Sequence, residues 1–327
     1  IIVGSGPNGF AAAITLQQQG LSTLIIEGAE TIGGGMRTKE LTLTGFKHDV
    51  CSAIHPMAMG SPFLRSIPLS AYGLDFRFAK YETAHPLIHT EGAVLHRDQE
   101  AMVNDLGIDA EYYRKLIAPV VYDWEKIAKD TLGPLEFPTY PLTMTQFGLK
   151  ALQPSSWIAA NFKTEKSKAL WAGMVAHGMQ PLDNFTTSAI GMVLLAVGHR
   201  FGWAIPVGGS QSIANALKNY YMHLGGKIEV GRWIKDTSQL PSHKLLFLDM
   251  TPKQLLEMKG LDFSPKYIRQ LLGYKQGMGV FKVDWALSEE TPFTDKRARQ
   301  AATVHIGGTF NEIALSEHDS NLGRTTE

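Results

Sequence analysis

The sequence has a single cysteine, Cys51, among 327 residues. One thiol cannot form an internal disulfide, a Cys-x-x-Cys redox pair or a structural zinc site. Disulfide reductases and zinc-finger proteins are therefore excluded for this chain. Such scarcity of cysteine is also typical of a reducing compartment.

Neither sign of charge prevails, because 31 lysines and arginines balance 31 acidic residues. A nucleic-acid-binding surface needs a surplus of basic residues, so we expect no nucleic-acid partner. The longest apolar run, residues 189–198, is far shorter than the roughly 20 residues that span a bilayer. The 327-residue sequence contains no segment with the basic start and apolar middle of a signal peptide. We expect a cytoplasmic protein, with peripheral membrane contact favoured if the substrate is apolar.

What the chain does contain is enough apolar sequence for a large core. Hydrophobic residues make up 44% and charged residues 19%, which favours a folded protein of two domains or one large α/β unit. The first strand begins without a methionine at Ile1, and residues 316–327 are polar with no closing element. We therefore expect an internal portion of a longer chain.

The first thirty residues predict a βαβ unit. An apolar strand ends at Val3, the turn Gly4-x-Gly6-x-x-Gly9 follows, and a helix runs to about residue 19 before a second apolar strand. In this context the three glycines allow a tight turn, close approach of a pyrophosphate, and close packing of helix on strand. The phosphate charge would lie at the positive end of the helix.

Two further features extend this pattern. Glu27 ends the second strand, at the position of an acid that accepts hydrogen bonds from ribose hydroxyls and repels a 2′-phosphate. The segment Glu27-x5-Gly33-Gly34-x-x-Arg37-Thr38 then adds a second glycine turn with a cation that can offset diphosphate charge. A second turn of this kind follows the Rossmann unit in many FAD enzymes of the glutathione-reductase type, and so favours FAD over a nicotinamide cofactor.

Elsewhere the sequence offers no candidate for acid–base, nucleophilic or metal chemistry. No His-Glu-x-x-His or Gly-x-Ser-x-Gly motif is present. His85 and His89 could face one side of a helix, but Pro86 argues against a helix there, and we predict no metal site. The catalytic residues stay unassigned.

Beyond the first unit we expect helices over residues 98–105 and 111–129, a long connection over 133–154 and a helical, methionine-rich region over 157–197. Met174, Met179, Met192 and Phe185 are more typical of plain core than of a substrate tunnel. A strand is predicted over 280–285, where Phe281 and Trp285 are candidate walls for an apolar substrate.

At several points the sequence resembles the phytoene-desaturase-like flavoproteins of the carotenoid-desaturase and amine-oxidase superfamily. The resemblance begins at Gly4-Ser5-Gly6-Pro7-Asn8-Gly9, and the segment at 202–211, with its Gly-Trp and Pro-x-Gly-Gly-Ser pattern, is similar to that family's centre. Segments 279–287 and 303–309 resemble the subgroup of pyridine nucleotide-disulphide oxidoreductase domain-containing protein 2.

The resemblance implies an α/β fold with a Rossmann-like FAD-binding domain of the glutathione-reductase type and a discontinuous α+β substrate domain. We expect residues 1–70 and 202–260 in the first domain, and 71–201 and 261–327 in the second. FAD would contact residues of both glycine turns and the strand ends, with Val230 reaching the adenine side through its backbone: Gly4, Gly6, Pro7, Asn8, Gly9, Glu27, Gly33, Gly34, Arg37, Thr38 and Val230.

The implied activity is desaturation, dehydrogenation or redox-neutral isomerisation of a small apolar, polyene-like substrate by hydride transfer to flavin. Two alternatives stay open. One is an NAD-dependent dehydrogenase that uses the same first βαβ unit but not the second glycine turn. The other is a catalytically silent scaffold protein with a flavoprotein fold.

Overall fold

A computed structural model describes residues 1–134 and 136–324. Its strands are short and spread along the whole chain: β1 (Ile2–Val3), β2 (Leu24–Ile26), β3 (Thr38–Glu40), β4 (Lys47–Asp49), β5 (Phe76–Arg77), β6 (Tyr81–His85), β7 (Ala93–Leu95), β8 (Ile205–Pro206), β9 (Lys227–Glu229), β10 (Phe247–Leu248) and β11 (Ala301–Val304).

Helices contain more residues than the strands do and are longest in the middle third of the chain: α1 (Pro7–Gln18), α2 (Pro56–Gly60), α3 (Pro62–Ser66), α4 (Gln99–Leu106), α5 (Ala110–Tyr122), α6 (Trp124–Thr131), α7 (Pro141–Ala151), α8 (Ser155–Ala159), α9 (Glu165–Ala176), α10 (Thr187–Phe201), α11 (Gln211–His223), α12 (Pro252–Glu257), α13 (Pro265–Leu272) and α14 (Phe310–Asn321). Short 3₁₀ helices lie at Leu69–Tyr72, Gly107–Asp109, Thr237–Gln239 and Ala298–Gln300. Across residues 1–134 and 136–324, no helix is both long and apolar enough to cross a membrane.

The first sheet is parallel, with strand order β10–β1–β2–β9. Ile2 pairs with Ile25 on one side and with Phe247 on the other. Helices α1 and α11 pack against each other, and their apolar side chains share one core with the strands: Ile2, Phe10, Ile14, Ile25, Ile213 and Leu217. Strands from distant parts of the chain thus end side by side at one edge of the sheet, which is where α/β folds bind ligands.

A second core lies among the central helices. Helices α5, α9 and α10 pack together over a three-stranded sheet of order β11–β6–β7. Met174 and Met192 are fully buried in this core, as expected for methionines that fill gaps in packing. Phe185 is instead 68% exposed and packs against Trp157.

Two sequence predictions are wrong. Residues 280–285 form no strand, because no other described strand lies beside them to form a ladder. Phe281 and Trp285 are 92% and 71% exposed. The predicted connection over 133–154 contains helix α7, which starts at Pro141. Proline suits the first position of a helix, where its missing N–H would have no acceptor, so here it begins a helix.

One buried carboxylate joins two parts of the helical core. Asp109 is 1% exposed and accepts hydrogen bonds from the N–H of Lys163 (2.6 Å) and from both the N–H (2.9 Å) and hydroxyl (2.6 Å) of Thr164. Burial alone would raise the pKa of Asp109, but the hydrogen bonds from Thr164 and Lys163 outweigh it, and the pKa is lowered from 3.8. The carboxylate therefore fixes the start of α9 against α5.

Replacing this carboxylate should destabilise the fold. Asp109→Ala leaves the N–H groups of Lys163 and Thr164 without this acceptor in a partly buried position, which is expected to lower the free energy of unfolding by about 2–4 kcal/mol in urea titrations. Asp130→Ala is the matched control, because Asp130 also accepts two backbone N–H groups but its hydrogen bonds are exposed, and water can replace it. Equal losses in the two variants would contradict the assigned role.

The same carboxylate should also affect how the stability of the fold depends on pH in the acid range. Because folding lowers the pKa of Asp109, its stabilisation is present above the unfolded value of 3.8 and is lost as the pH falls through the folded value. Asp109→Asn is therefore expected to show a smaller loss of stability below pH 4 than the unaltered protein does. If the free energies of unfolding of the two proteins fall in parallel below pH 4, Asp109 makes no such contribution.

Candidate dinucleotide-binding site

The first glycine turn connects β1 to α1 and leaves no room for side chains. Gly4 has a φ of +104°, and a Cβ added to it would lie 2.5 Å from the carbonyl oxygen of Asp249. A Cβ at Gly9 would lie 2.3 Å from the carbonyl oxygen of Gly4. Backbone atoms cannot move aside as a flexible side chain can, so both positions require glycine.

This turn presents the N-terminus of α1 to solvent. Pro7 is the first helical residue, and the preceding Gly6 has no side chain with which to cap the helix. The N–H of Asn8 lies in the first helical turn, where a helix provides no acceptor of its own. Together with the helix dipole, such N–H groups favour an anion at this position.

Glu27 ends β2 beside the first turn. Its carboxylate accepts hydrogen bonds from the N–H of Ser5 (2.9 Å), the hydroxyl of Ser5 (2.5 Å) and the N–H of Ala29 (2.9 Å). A carboxylate offers about four acceptor positions, so capacity remains for a further donor such as a ribose hydroxyl. Its side chain is half-buried and lines a groove above the sheet edge.

The second glycine turn packs directly on the first. The N–H of Gly33 donates to the carbonyl and hydroxyl oxygens of Ser5, both at 3.1 Å. Gly34 has a φ of +57°, and a Cβ added to it would lie 3.0 Å from the Cα of Gly6. Ser5, buried completely, thus links the first turn, the acid of β2 and the second turn.

The groove formed by these elements has a volume of about 340 Å³. Of the residues predicted from sequence, Gly4, Gly6, Pro7, Glu27 and Gly34 line it. The other lining residues come from the ends of all four parallel strands or from the loops after them: Val3, Ser5, Gly28, Gly35, Arg232, Trp233, Ile234, Asp249, Met250 and Gln254.

The remaining predicted residues lie around the groove and not in its lining. Asn8 is exposed on the first turn of α1, and Arg37 donates from Nε to the carbonyl of Gly34 (2.6 Å). The hydroxyl of Thr38 donates to Asp49 (2.5 Å) and accepts from the N–H of Gln211 (3.0 Å), so it anchors α11. Val230 follows β9, with its side chain 46% exposed.

Sequence reasoning missed Asp249, the acid that follows β10. Its carboxylate accepts a hydrogen bond from the N–H of Gly9 (2.9 Å) and so caps α1 from a distant part of the chain. The same Oδ2 atom lies 2.7 Å from the position of a Cβ on Gly6. The signal was available, because carboxyl ends of parallel strands share one edge, but two-residue strands are difficult to place from sequence.

Trp233 was missed for the same reason. It lies in the loop after β9, and its ring lies 2.4 Å from the position of a Cβ on Gly28. Arg232, beside it, pairs with Glu229 (2.5 Å) and adds a cation to the lining. The end of the groove next to Glu27 therefore has an aromatic ring and a guanidinium as well as the acid.

These residues fit a dinucleotide. Gly6 and Gly34 approach each other closely enough that a side chain on Gly34 would touch Gly6, so only backbone lies between them. The N-terminus of α1 provides positive potential for a diphosphate, and Glu27 has acceptor capacity for a ribose. The carboxylate of Asp249, close to the N-terminus of α1, opposes an anion here.

The family comparison agrees with this geometry. A model of the NAD(P)-binding Rossmann-like domain matches residues 2–64, which contain β1, α1, β2 and both glycine turns. The search of curated proteins found no match. Residues 2–64 therefore have the sequence pattern of a Rossmann-like dinucleotide-binding unit.

Solved structures of similar fold cover most of the chain. A protein from Pyrococcus furiosus has a TM-score of 0.52 at 15% identity, over 84% of this chain and 65% of that one. An oxidoreductase from Methanosarcina mazei has 0.53 at 16%, over 83% and 63%. A CLA-producing fatty acid isomerase from P. acnes has 0.50 at 15%, over 83% and 62%. The chain spans less than two thirds of each, and these likenesses establish the fold: mixed α/β with a Rossmann-like unit.

The link through Ser5 gives a direct test of how the site is held together. Ser5→Ala removes a partner from both Glu27 and Gly33 inside the protein, so the free energy of unfolding is expected to fall by about 1–3 kcal/mol. Ser70→Ala, at an exposed position, should change it by less than about 0.5 kcal/mol. If the two variants unfold at the same denaturant concentration, Ser5 does not join the turns.

Proposed function

We propose that the protein is an FAD-dependent oxidoreductase. The observation that carries the proposal is the contact between the two glycine turns, joined by Ser5 with Glu27 between them. A single Rossmann turn would serve any dinucleotide, whereas a second glycine turn packed beside the first would add further backbone N–H groups to the diphosphate site. This arrangement favours FAD over a nicotinamide cofactor.

In this proposal each predicted residue has a part. Backbone at Gly4, Gly6, Pro7, Asn8 and Gly9 faces the diphosphate, and Glu27 accepts from the adenosine ribose. Gly33 and Gly34 approach the diphosphate from the second turn, Arg37 offsets its charge, Thr38 holds the turn in place, and the Val230 backbone lies on the adenine side. The FAD-binding domain would comprise residues 1–70 and 202–260, and the substrate domain 71–201 and 261–327.

The bound isoalloxazine would supply hydride acceptance, and the protein would supply position and electrostatics. We propose a small apolar substrate of the polyene-like kind that phytoene dehydrogenases use, with desaturation or redox-neutral isomerisation as the reaction. The fatty acid isomerase among the structures of similar fold supports an apolar substrate class, as does the resemblance at residues 202–211.

A second candidate is an NAD-dependent dehydrogenase. It is favoured by the matched domain model, which describes NAD(P) binding. It is also favoured by Arg37, because the Nε of Arg37 already donates to the carbonyl oxygen of Gly34. The two candidates differ in the role of the second glycine turn. FAD binding would require this turn to be unobstructed, whereas NAD binding would not depend on it.

Identifying the bound cofactor by mass after extraction tests the proposal. The full chain is expected to release FAD, and Gly34→Ala should lose most of it, because the added Cβ closes the gap to Gly6. Gly20→Ala is the matched control: Gly20 also has a positive φ (+78°), but a Cβ there meets nothing within 4 Å. Alanine at either position introduces similar backbone strain. A difference in FAD retention between the two variants therefore reports the effect of the Cβ that lies against Gly6.

Three outcomes would count against the proposal. Release of NAD instead of FAD would favour the second candidate. FAD retained equally by Gly34→Ala and Gly20→Ala would mean that the second turn does not approach the cofactor. A protein that binds no dinucleotide, even after reconstitution with FAD, would favour a silent scaffold.

A further inference from the structure

A second, larger pocket lies in the helical half of the protein, among β6, β11, α9 and α14. We call it the histidine pocket; its volume is about 960 Å³. Much of its wall is apolar, formed by Ile88, Ala176, Met179, Met278, Ile306 and Leu315. Met179, considered above as core, therefore lines a cavity.

Three histidines form one polar part of this wall. His85 ends β6, His305 follows β11 and His177 follows α9. The ring centroids of His85 and His305 lie 6.0 Å apart, and those of His305 and His177 lie 5.1 Å apart. The Nε2 atoms of His177 and His305 are 3.1 Å apart, so one donates to the other.

The tautomer of His85 follows from its partner. Its Nε2 lies 2.7 Å from the carbonyl oxygen of Gly308, which can only accept, so Nε2 carries the proton. Nδ1 of His85 is therefore an acceptor. Within the described chain, the buried Nδ1 atoms of both His85 and His305 have no hydrogen-bond partner.

Both of these Nδ1 atoms face the same glycine. A Cβ on Gly173 would lie 2.6 Å from Nδ1 of His305 and 2.8 Å from Nδ1 of His85. Gly173 also lines the pocket, so the absence of a side chain there keeps the two nitrogens clear of a covering methyl group. Buried polar atoms left unpaired destabilise the protein, so a ligand that donates a hydrogen bond to them is favoured.

The electrostatics of the pocket select against anions. Burial lowers the pKa of His85, and burial together with the neighbouring histidines lowers the pKa of His305 to about 3. The rings are therefore uncharged at neutral pH. Glu312, Glu317 and Asp319 line the same pocket, so a carboxylate ligand would meet acidic groups and no cationic ring.

We propose that the histidine pocket binds an uncharged, largely apolar alcohol, whose hydroxyl donates to Nδ1 of His85 while its hydrocarbon part contacts the apolar wall. The class follows from the lining of the pocket, which combines unpartnered acceptors, neutral rings and acidic side chains with aliphatic side chains. As a substrate class for the oxidoreductase this inference rests on the proposed function, but the binding itself requires no dinucleotide.

Calorimetric titration of the full chain with four probes of equal chain length tests the proposal: 1-octanol, 1-methoxyoctane, octanoate and octylamine. 1-Octanol is expected to bind about tenfold more tightly than 1-methoxyoctane, which cannot donate a hydrogen bond. His85→Phe should abolish that preference, and His243→Phe, at an exposed histidine, should retain it.

Ring ¹⁵N spectra of the unaltered protein provide a readout that does not depend on the variant folding. Adding 1-octanol should shift the signal of Nδ1 of His85, and 1-methoxyoctane should not. The proposal is overturned if octanol and its methyl ether bind equally, if octanoate or octylamine binds more tightly than octanol, if none of the probes binds, or if the His85 signal is unmoved.

The flavin content of the same preparation separates the two proposals. Octanol binding in a protein without FAD would contradict the proposed function and support the assignment of the histidine pocket. FAD retention without octanol binding would do the reverse.

Discussion

The candidate cofactor site depends on one buried residue, Ser5, which lies between Gly4 and Gly6 of the first turn. Its hydroxyl donates to Glu27 at 2.5 Å and accepts from the N–H of Gly33 at 3.1 Å, and its own N–H donates to Glu27 at 2.9 Å. Three segments separated along the chain are thereby held together. Without that constraint the glycine turns would be two flexible loops, because glycine has the greatest backbone freedom to lose.

Asp249 adds an electrostatic condition to this geometry. It caps α1 through Gly9 and so stabilises the helix that the site uses, but it also places a negative charge beside the anion-binding end of that helix. A diphosphate held there needs compensating charge. Arg232, which pairs with Glu229, lines the groove, and Arg37 bonds to the second turn. These two guanidinium groups can offset part of the acidic charge.

The sequence was sufficient for the parts of the site that depend on local conformation. Gly4, Gly6, Glu27 and Gly34 could be predicted because turn geometry and strand ends restrict residue type within a short window. Ser5, Trp233 and Asp249 could not, because their roles arise where strands distant in sequence come together.

The same limit applies to the rest of the fold. Helix α7 was hidden by a proline that marks its first residue, and the pattern at 280–285 has no strand to pair with. Asp109 is buried by a tertiary contact with Thr164. In each case the local signal was present, and long-range packing decided its meaning.

The most direct test of the central claim is a crystal structure of the full chain soaked with ADP, which contains the adenosine diphosphate half of the cofactor. The account predicts the ribose hydroxyls on Glu27 and the diphosphate between the N–H of Asn8 and the turn at Gly34. ADP bound elsewhere, or a ribose more than about 4 Å from the Glu27 carboxylate, would contradict it.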